Sequence, residues 1–268
     1  MKEINQPEMK LFYRKFGQGQ PLIILHGLFG QSDNWNTLAK NFAELGFEVF
    51  IVDLRNHGLS AHSNVWNYQV MSDDILELIN DSNFEHVILM GHSMGGKVAM
   101  QFALQHQDLL DKLIVVDIAP KYYPPHNLEV LEALNAVDFS IVRNRKEVET
   151  ILAKYITDFG TRQFLLKNIY WKENGELDWR FNLKVITDQF ENTGELTPND
   201  TVFNKETLFI RGENSNYILD KDLNIIKEIF PLSILKTIAG AGHWVHAEKP
   251  KEFFESVSGF ISNGASHR

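Results

Sequence analysis

Short apolar runs separated by longer amphipathic segments dominate the hydrophobic pattern of the chain. Four such runs lie in the first 120 residues, and each ends at a polar residue or a glycine: 21–25, 49–52, 87–90 and 113–116. Near-continuous apolar runs are typical of strands covered on both faces, and their alternation with helical segments predicts a mostly parallel sheet. Because ligands bind beyond the carboxyl ends of such strands, we expect the chemistry at those ends.

The alternation of strands and helices stops between Pro120 and about Asp200 and then resumes. Within this stretch, three segments have the spacing of amphipathic helices, namely 128–137, 143–156 and 179–191. Strand patterns return at 207–210 and 233–238, an edge strand is expected over 10–16, and a closing helix is expected over 250–261. We therefore predict an α/β core formed by residues 1–120 and 200–268, with a helical cap inserted over 121–199 and a disordered tail from Asn263.

Composition and charge narrow the class of partner. The 268 residues are 44% hydrophobic and include no cysteine, so a sizeable core is available and neither disulfides nor a thiolate nucleophile can form. The net charge of -9 disfavours nucleic acid and anionic membrane surfaces, and we expect a small-molecule substrate. No apolar run approaches the roughly 18 residues of a membrane span, and the first ten residues lack a secretory pattern, which predicts a cytoplasmic protein. Nothing in the sequence indicates the oligomeric state.

A nucleophile elbow follows the third of these strands. The segment Gly91-His92-Ser93-Met94-Gly95-Gly96 fits G-x-S-x-G, and a segment of helical composition follows it from Lys97 to Gln105. The turn in this motif is so tight that its flanking positions must be glycine, and it exposes the serine. We therefore predict Ser93 as the nucleophile and the backbone N–H of Met94 as an oxyanion donor. The alternative is a glycine-rich turn with an incidental serine.

Serine needs a base within hydrogen-bond reach, and ten histidines are available. In folds with this elbow, the histidine lies in a loop after the last strand. His243 occupies such a loop after Ile238 and is the predicted base. His92 is interpreted as a packing residue, because neighbours on a sharp turn point in different directions. His246 could be a metal ligand, but the loop offers no third ligand with suitable spacing, so we expect neither a metal nor a cofactor.

The acid of the expected triad has several candidates. Many hydrolases with this elbow carry it in a Gly-x-x-Asp turn after the seventh strand, where this chain has Ser215 instead. Asp117, at the end of the neighbouring strand, can reach the histidine and is the preferred candidate. Glu213, Asp220 and a bare serine–histidine dyad stay open. Ser215 could add a hydrogen bond to the same histidine as an auxiliary residue.

A second oxyanion donor is expected in the loop His26-Gly27-Leu28-Phe29-Gly30. This loop follows the strand expected beside the elbow, so the backbone N–H of Leu28 can point at the same oxyanion as that of Met94. Removing such a donor typically costs about 3 kcal/mol of transition-state stabilisation. The alternative is a loop that needs small residues only to turn.

Taken together, these motifs resemble those of the YbfF-type esterases, a family of the α/β-hydrolase superfamily, and of their mitochondrial relatives. The resemblance rests on the elbow, the His26 loop with Asp33-Asn34-Trp35, and three further segments: 53–60, 116–120 and 242–244. It implies the α/β-hydrolase fold, with a mostly parallel sheet, helices on both faces and an inserted helical cap. The family carries its acid after the sixth strand and a serine after the seventh, which implies a triad of Ser93, Asp117 and His243.

The same resemblance implies the activity. YbfF-type enzymes hydrolyse short-chain acyl esters through an acyl-enzyme, and acyl-CoA thioesters are candidate substrates. A slow-turnover receptor and a C–C bond hydrolase or lyase could use the same triad, so both stay as alternatives. We expect aromatic residues of the cap either to cover an apolar acyl pocket or to pack the cap's own core, namely Tyr122, Tyr123, Phe139, Phe159, Phe164, Tyr170 and Trp171.

Overall fold

A computed structural model describes residues 9–124, 128–195, 197 and 200–262. Seven strands form one sheet in the order β1-β3-β2-β4-β5-β8-β9, and a separate hairpin pairs β6 with β7. In this sheet β1 runs antiparallel to β3, and the other neighbouring pairs formed by the described strands run parallel. The strands are β1 Tyr13–Phe16, β2 Gln20–Leu25, β3 Phe47–Val52, β4 Val87–His92, β5 Leu110–Val116, β6 Ile169–Trp171, β7 Leu177–Trp179, β8 Thr207–Gly212 and β9 Ser233–Ile238.

Helices cover both faces of the large sheet. They are α1 Asn36–Glu44, α2 Tyr68–Asp81, α3 Met94–Gln105, α4 Leu128–Asn135, α5 Arg145–Leu152, α6 Phe159–Leu166, α7 Leu183–Asp188, α8 Leu223–Ile229, α9 Val245–Glu248 and α10 Pro250–Ser262. Successive residues of β2 belong to the two halves of the core. Ile23 is part of the apolar cluster that includes α2, α3 and α8, and Ile24 is part of the cluster that includes α1 and α10. The apolar runs of the sequence are therefore strands buried on both faces, as predicted.

In its described residues, the segment between β5 and β8 contains four α-helices and the small hairpin. The helix predicted over 179–191 is wrong at its start, because Trp179 ends β7 and pairs with Ile169 of β6. The helix α7 begins only after Asn182, whose side chain accepts from the Val185 N–H. An apolar residue at every second position from Leu177 to Phe181 fits a strand better than a helix. The hydrophobic pattern of the sequence did not predict α6 or the hairpin.

The division into a core over 1–120 and 200–268 and a cap over 121–199 stays a prediction. Within the described part of the chain, no helix is long and apolar enough to cross a membrane. The residues from Asn263, predicted to be disordered, lie outside the described residues.

Candidate active site

Ser93 sits on a tight turn between β4 and α3. Its φ of 52° and ψ of -116° place it in the left-handed half of backbone space. Two glycines allow the turn to close, since a Cβ at Gly91 would lie 2.1 Å from the Gly95 carbonyl oxygen, and one at Gly95 would lie 2.6 Å from the His26 carbonyl oxygen. The Ser93 N–H donates to Val116 O at 2.9 Å, which fixes the turn against the end of β5.

A chain of hydrogen bonds connects Ser93, His243 and Asp117. The His243 Nε2 lies 3.0 Å from Ser93 Oγ, and its Nδ1 lies 2.7 Å from Asp117 Oδ2. Asp117 is fully buried, and its N–H donates to Ile210 O at 2.7 Å, so the carboxylate sits between the ends of β5 and β8. With Nδ1–H donating to the carboxylate, Nε2 is left as the acceptor that faces the serine hydroxyl.

The other carboxylates considered from the sequence have different partners. Glu213 accepts from the Gly240 N–H at 2.8 Å, and Asp220 forms an ion pair with Arg211 at 2.8 Å. Among the described contacts, neither carboxylate bonds to His243. The geometry is therefore that of three residues in series, with Asp117 in the acid's position.

Ser215 contacts the carboxylate, not the imidazole. Its hydroxyl donates to Asp117 Oδ2, and the Gly212 N–H donates to Oδ1 at 3.1 Å. The Asp117 carboxylate thus receives hydrogen bonds from a hydroxyl, an amide and the His243 ring. These three hydrogen bonds hold the plane of the carboxylate toward His243. The expected direct bond from Ser215 to the histidine is absent among the described contacts.

Tyr217 is a member of the site that sequence reasoning missed. Its ring stacks on the His243 imidazole with centroids 3.8 Å apart and an interplanar angle of 17°. The Tyr123 hydroxyl donates to Tyr217 O at 2.6 Å, and the Tyr217 N–H approaches Ser215 Oγ at 3.3 Å. The position of Tyr217 two residues after Ser215 was its only signal, because stacking depends on how the loop folds.

The loop expected to offer the second oxyanion donor is held by two buried histidines. His26 Nε2 accepts from the Leu54 N–H at 3.0 Å, and His57 Nε2 accepts from the Phe29 N–H at 3.3 Å. Burial lowers the pKa of His26 to about 4 and the pKa of His57 to about 3. Both rings therefore stay neutral near pH 7, as an accepting nitrogen requires.

Phe29 itself has a φ of 58°, and Asn168, from the segment after α6, donates to its carbonyl oxygen at 2.8 Å. Between His26 and Phe29, Leu28 lines the same cavity as Ser93 and Met94. Met94 is the first residue of α3, where backbone N–H groups have no intrahelical acceptor.

A cavity of about 360 Å³ opens directly onto Ser93. Apolar side chains dominate its wall, and they come from the core as well as from the inserted segment: Tyr68, Ile118, Val130, Ile156, Leu165 and Phe190. Of the seven aromatic residues predicted for a cap, Tyr123 and Phe164 line the cavity. Phe139 instead packs on Trp179, while Tyr122, Phe159 and Trp171 are exposed. Tyr170 lies against the guanidinium of Arg180. The seven aromatic residues therefore do not share one role, since two of them line the cavity and the others pack elsewhere or are exposed.

Two further histidines flank the site. His92 is buried, and its Nε2 lies 2.9 Å from the His243 carbonyl oxygen, so Nε2 carries the proton and donates. His246 stacks on Trp35 with ring centroids 4.1 Å apart. Within the described residues, no group of three or more metal-ligating side chains is arranged to hold an ion.

Comparisons with known proteins agree with this architecture. A family model described as the alpha/beta hydrolase fold matches residues 20–250. The Esterase YbfF of Escherichia coli (strain K12) is 35% identical over 246 residues, which cover 91% of this chain and 93% of that protein. The sn-1-specific diacylglycerol lipase ABHD11 of Danio rerio is 37% identical over 252 residues, covering 91% and 79%. A solved structure of a marine microorganism esterase is 44% identical with a TM-score of 0.91, covering 94% and 99%.

The chain therefore belongs to the α/β-hydrolase family. This confirms the fold that the motifs indicated. Within that family it is a carboxylic ester hydrolase of the YbfF type, which confirms the resemblance found in the sequence.

Proposed function

We propose that the protein hydrolyses short-chain acyl esters through an acyl-enzyme on Ser93. The observation that carries the proposal is the hydrogen-bonded series from Asp117 through His243 to Ser93, which ends at an apolar cavity of about 360 Å³. A cavity of this kind suits an acyl chain that enters beside the nucleophile.

In the first half-reaction, His243 Nε2 removes the Ser93 proton while Oγ attacks the acyl carbonyl carbon. The negative charge moves to the carbonyl oxygen, where the N–H groups of Leu28 and Met94 are the proposed donors. His243 then returns the proton to the leaving oxygen as the acyl–oxygen bond breaks. In the second half-reaction, the same nitrogen activates a water that releases the acid and restores Ser93.

Asp117 acts on the base in both halves. Its carboxylate holds the Nδ1–H tautomer of His243 and stabilises the imidazolium that forms in each transition state. Ser215 acts one step further away as an auxiliary, because its hydroxyl orients the carboxylate. Acyl-CoA thioesters would react through the same steps, with a thiol as the leaving group.

A fluorophosphonate probe tests the nucleophile. We expect it to label the wild type and to leave Ser93→Ala unlabelled, with circular dichroism as the check that the variant is folded. An unlabelled wild type would contradict the proposal. Turnover of p-nitrophenyl acetate then separates an esterase from a receptor on the same scaffold, because a receptor stops after about one equivalent of product.

A further inference from the structure

A second cleft lies next to the acyl cavity and has a different chemistry. Its volume is about 820 Å³, and it runs between α1, α6 and α9. Polar side chains supply much of its wall, notably those of Asn34, Thr37, Gln163, Lys167 and Glu248. The acyl cavity is mostly apolar, so the two spaces suit the two unlike halves of an ester.

The cleft and the acyl cavity share a wall beside the nucleophile. Gly27, His92, Phe164 and Trp244 line both spaces. The rings of Phe164 and Trp244 lie 4.2 Å apart and form an aromatic partition between them. A Cβ at Gly27 would lie 3.4 Å from the Ser93 Cβ, so the cleft reaches the immediate neighbourhood of the nucleophile.

Two buried imidazole nitrogens belong to residues on the wall of this cleft. His92 Nδ1 and His246 Nδ1 are buried and have no hydrogen-bond partner within the described part of the chain. Since His92 uses Nε2–H to donate to the His243 carbonyl, its neutral ring presents Nδ1 as an acceptor. Both nitrogens are shielded from the cleft, so the groups on this wall that complement a ligand hydroxyl are the exposed side chains of Thr37 and Gln163.

The charges around the cleft are mainly negative. Its wall carries the carboxylates of Asp33, Asp158 and Glu248 against the single ammonium of Lys167, although Asp33 is also paired with Arg14. The whole chain has a net charge of -9. A leaving group with several phosphates would meet repulsion both on approach and in the cleft.

We propose that this cleft seats the alcohol half of the ester and selects a neutral, hydroxyl-bearing alcohol over a phosphorylated thiol. The inference rests on the proposed function and specifies its leaving group. As the acyl–oxygen bond breaks, the alcohol oxygen takes the proton from His243 and the free alcohol leaves through the cleft. The acyl group stays on Ser93 in the apolar cavity.

Filling the cleft tests this assignment. Thr37→Trp places a large ring on the exposed side of α1 that lines the cleft, and Lys40→Trp is the matched control on the same helix outside the lining. With glyceryl monobutyrate, we expect kcat/KM to fall about tenfold or more in Thr37→Trp only. With methyl butyrate, both variants should match the wild type within about twofold. Equal losses on the two esters, or no loss on either, would overturn the assignment.

A second pair of substrates tests whether the cleft disfavours a negatively charged leaving group. Butyryl-pantetheine and butyryl-CoA share the acyl group and the thioester, and they differ in the phosphorylated nucleotide. We expect kcat/KM to be about tenfold or more higher for butyryl-pantetheine at low salt, with the ratio falling as salt screens the charges. Equal values, or a preference for CoA, would overturn the selection.

Fluorophosphonate labelling of each variant separates the two levels of the proposal. If Ser93 is still labelled but the ratios of kcat/KM between the paired substrates differ from those expected, only the cleft assignment is contradicted. Loss of labelling in the wild type would contradict the proposed function itself.

Discussion

At the scale of single residues, the unusual feature of this site is the position of Asp117, the proposed acid. Asp117 follows β5, and the carboxylate comes within 2.7 Å of His243 because β5 and β8 are neighbours in the sheet. Asp117→Asn replaces the acceptor for Nδ1–H and favours the wrong imidazole tautomer. We expect kcat for p-nitrophenyl butyrate to fall about 10⁴-fold, as in comparable triads.

Ser215→Ala is the matched comparison for Asp117→Asn. It removes one donor to the carboxylate but leaves the Gly212 N–H and the His243 ring in place. A hydrogen bond to a charged group is worth about 1.5–3 kcal/mol, so kcat should fall by about one to two orders of magnitude. If Ser215→Ala lost more activity than Asp117→Asn, the acid would be misassigned.

The sequence could predict the residues of this site whose motifs are local. Ser93 lies in an elbow and His243 in a loop after the last strand, and the structure brings the two within 3.0 Å. The prediction of Asp117 also required the family resemblance, because the distance between Asp117 and His243 depends on the order of the strands in the sheet. Tyr217 and Asn168 could not be found, since their contacts arise only when distant loops pack together.

At the scale of elements, the segment between β5 and β8 is connected directly to the expected oxyanion loop. Asn168→Ala removes the hydrogen bond that the side-chain amide donates to Phe29 O. The backbone of the loop around Phe29 is then held less firmly in place. We expect kcat to fall about tenfold while KM changes little, because an oxyanion donor, the role proposed for the Leu28 N–H, acts mainly on the transition state. Steady-state kinetics on p-nitrophenyl butyrate measure both constants.

Asn168→Asp is the control for this contact. It keeps the size of the side chain but faces the Phe29 carbonyl with a carboxylate instead of a donor, so its loss should exceed that of Asn168→Ala. Thermal melting checks that both variants fold. A change confined to KM in Asn168→Ala would contradict a role in holding the oxyanion loop.

The elements themselves were predictable to different degrees. The inner strands of the large sheet, β2 to β5 and β8, are apolar on both faces, so their runs stand out in the sequence. The strands β6 and β7 have three residues each, too few for a period to be recognised. The helix α6 begins where Asp158 accepts from the Thr161 N–H, a local cap that the hydrophobic pattern does not reveal.

At the scale of the whole molecule, buried neutral histidines link stability to pH. Burial lowers the pKa values of His26, His57 and His246 to about 4, 3 and 3. Between pH 6.5 and about 4, the unfolded chain protonates these residues while the folded chain does not. The free energy of unfolding should therefore decrease as the pH falls, by about 1.4 kcal/mol per pH unit for each histidine.

Urea unfolding at pH 7, 6, 5 and 4.5 measures this dependence. His246→Leu removes one of these buried histidines and should make the slope shallower by about 1.4 kcal/mol per pH unit. The control is His62→Leu, which makes the same substitution at an exposed position and keeps every buried histidine. An unaltered slope in His246→Leu would show that this histidine is protonated in the folded state.

The three loops that meet at the site each contain a non-glycine residue with positive φ: Phe29 at 58°, Ser93 at 52° and Asp117 at 53°. Each such conformation costs about 1–3 kcal/mol, and glycine avoids most of it. Ser93→Gly should therefore raise the melting temperature above that of Ser93→Ala, although we expect neither variant to hydrolyse esters. A library of variants screened only for heat resistance would enrich glycine at these positions and discard catalysis, so thermostability engineering of this enzyme requires selection for activity at every round.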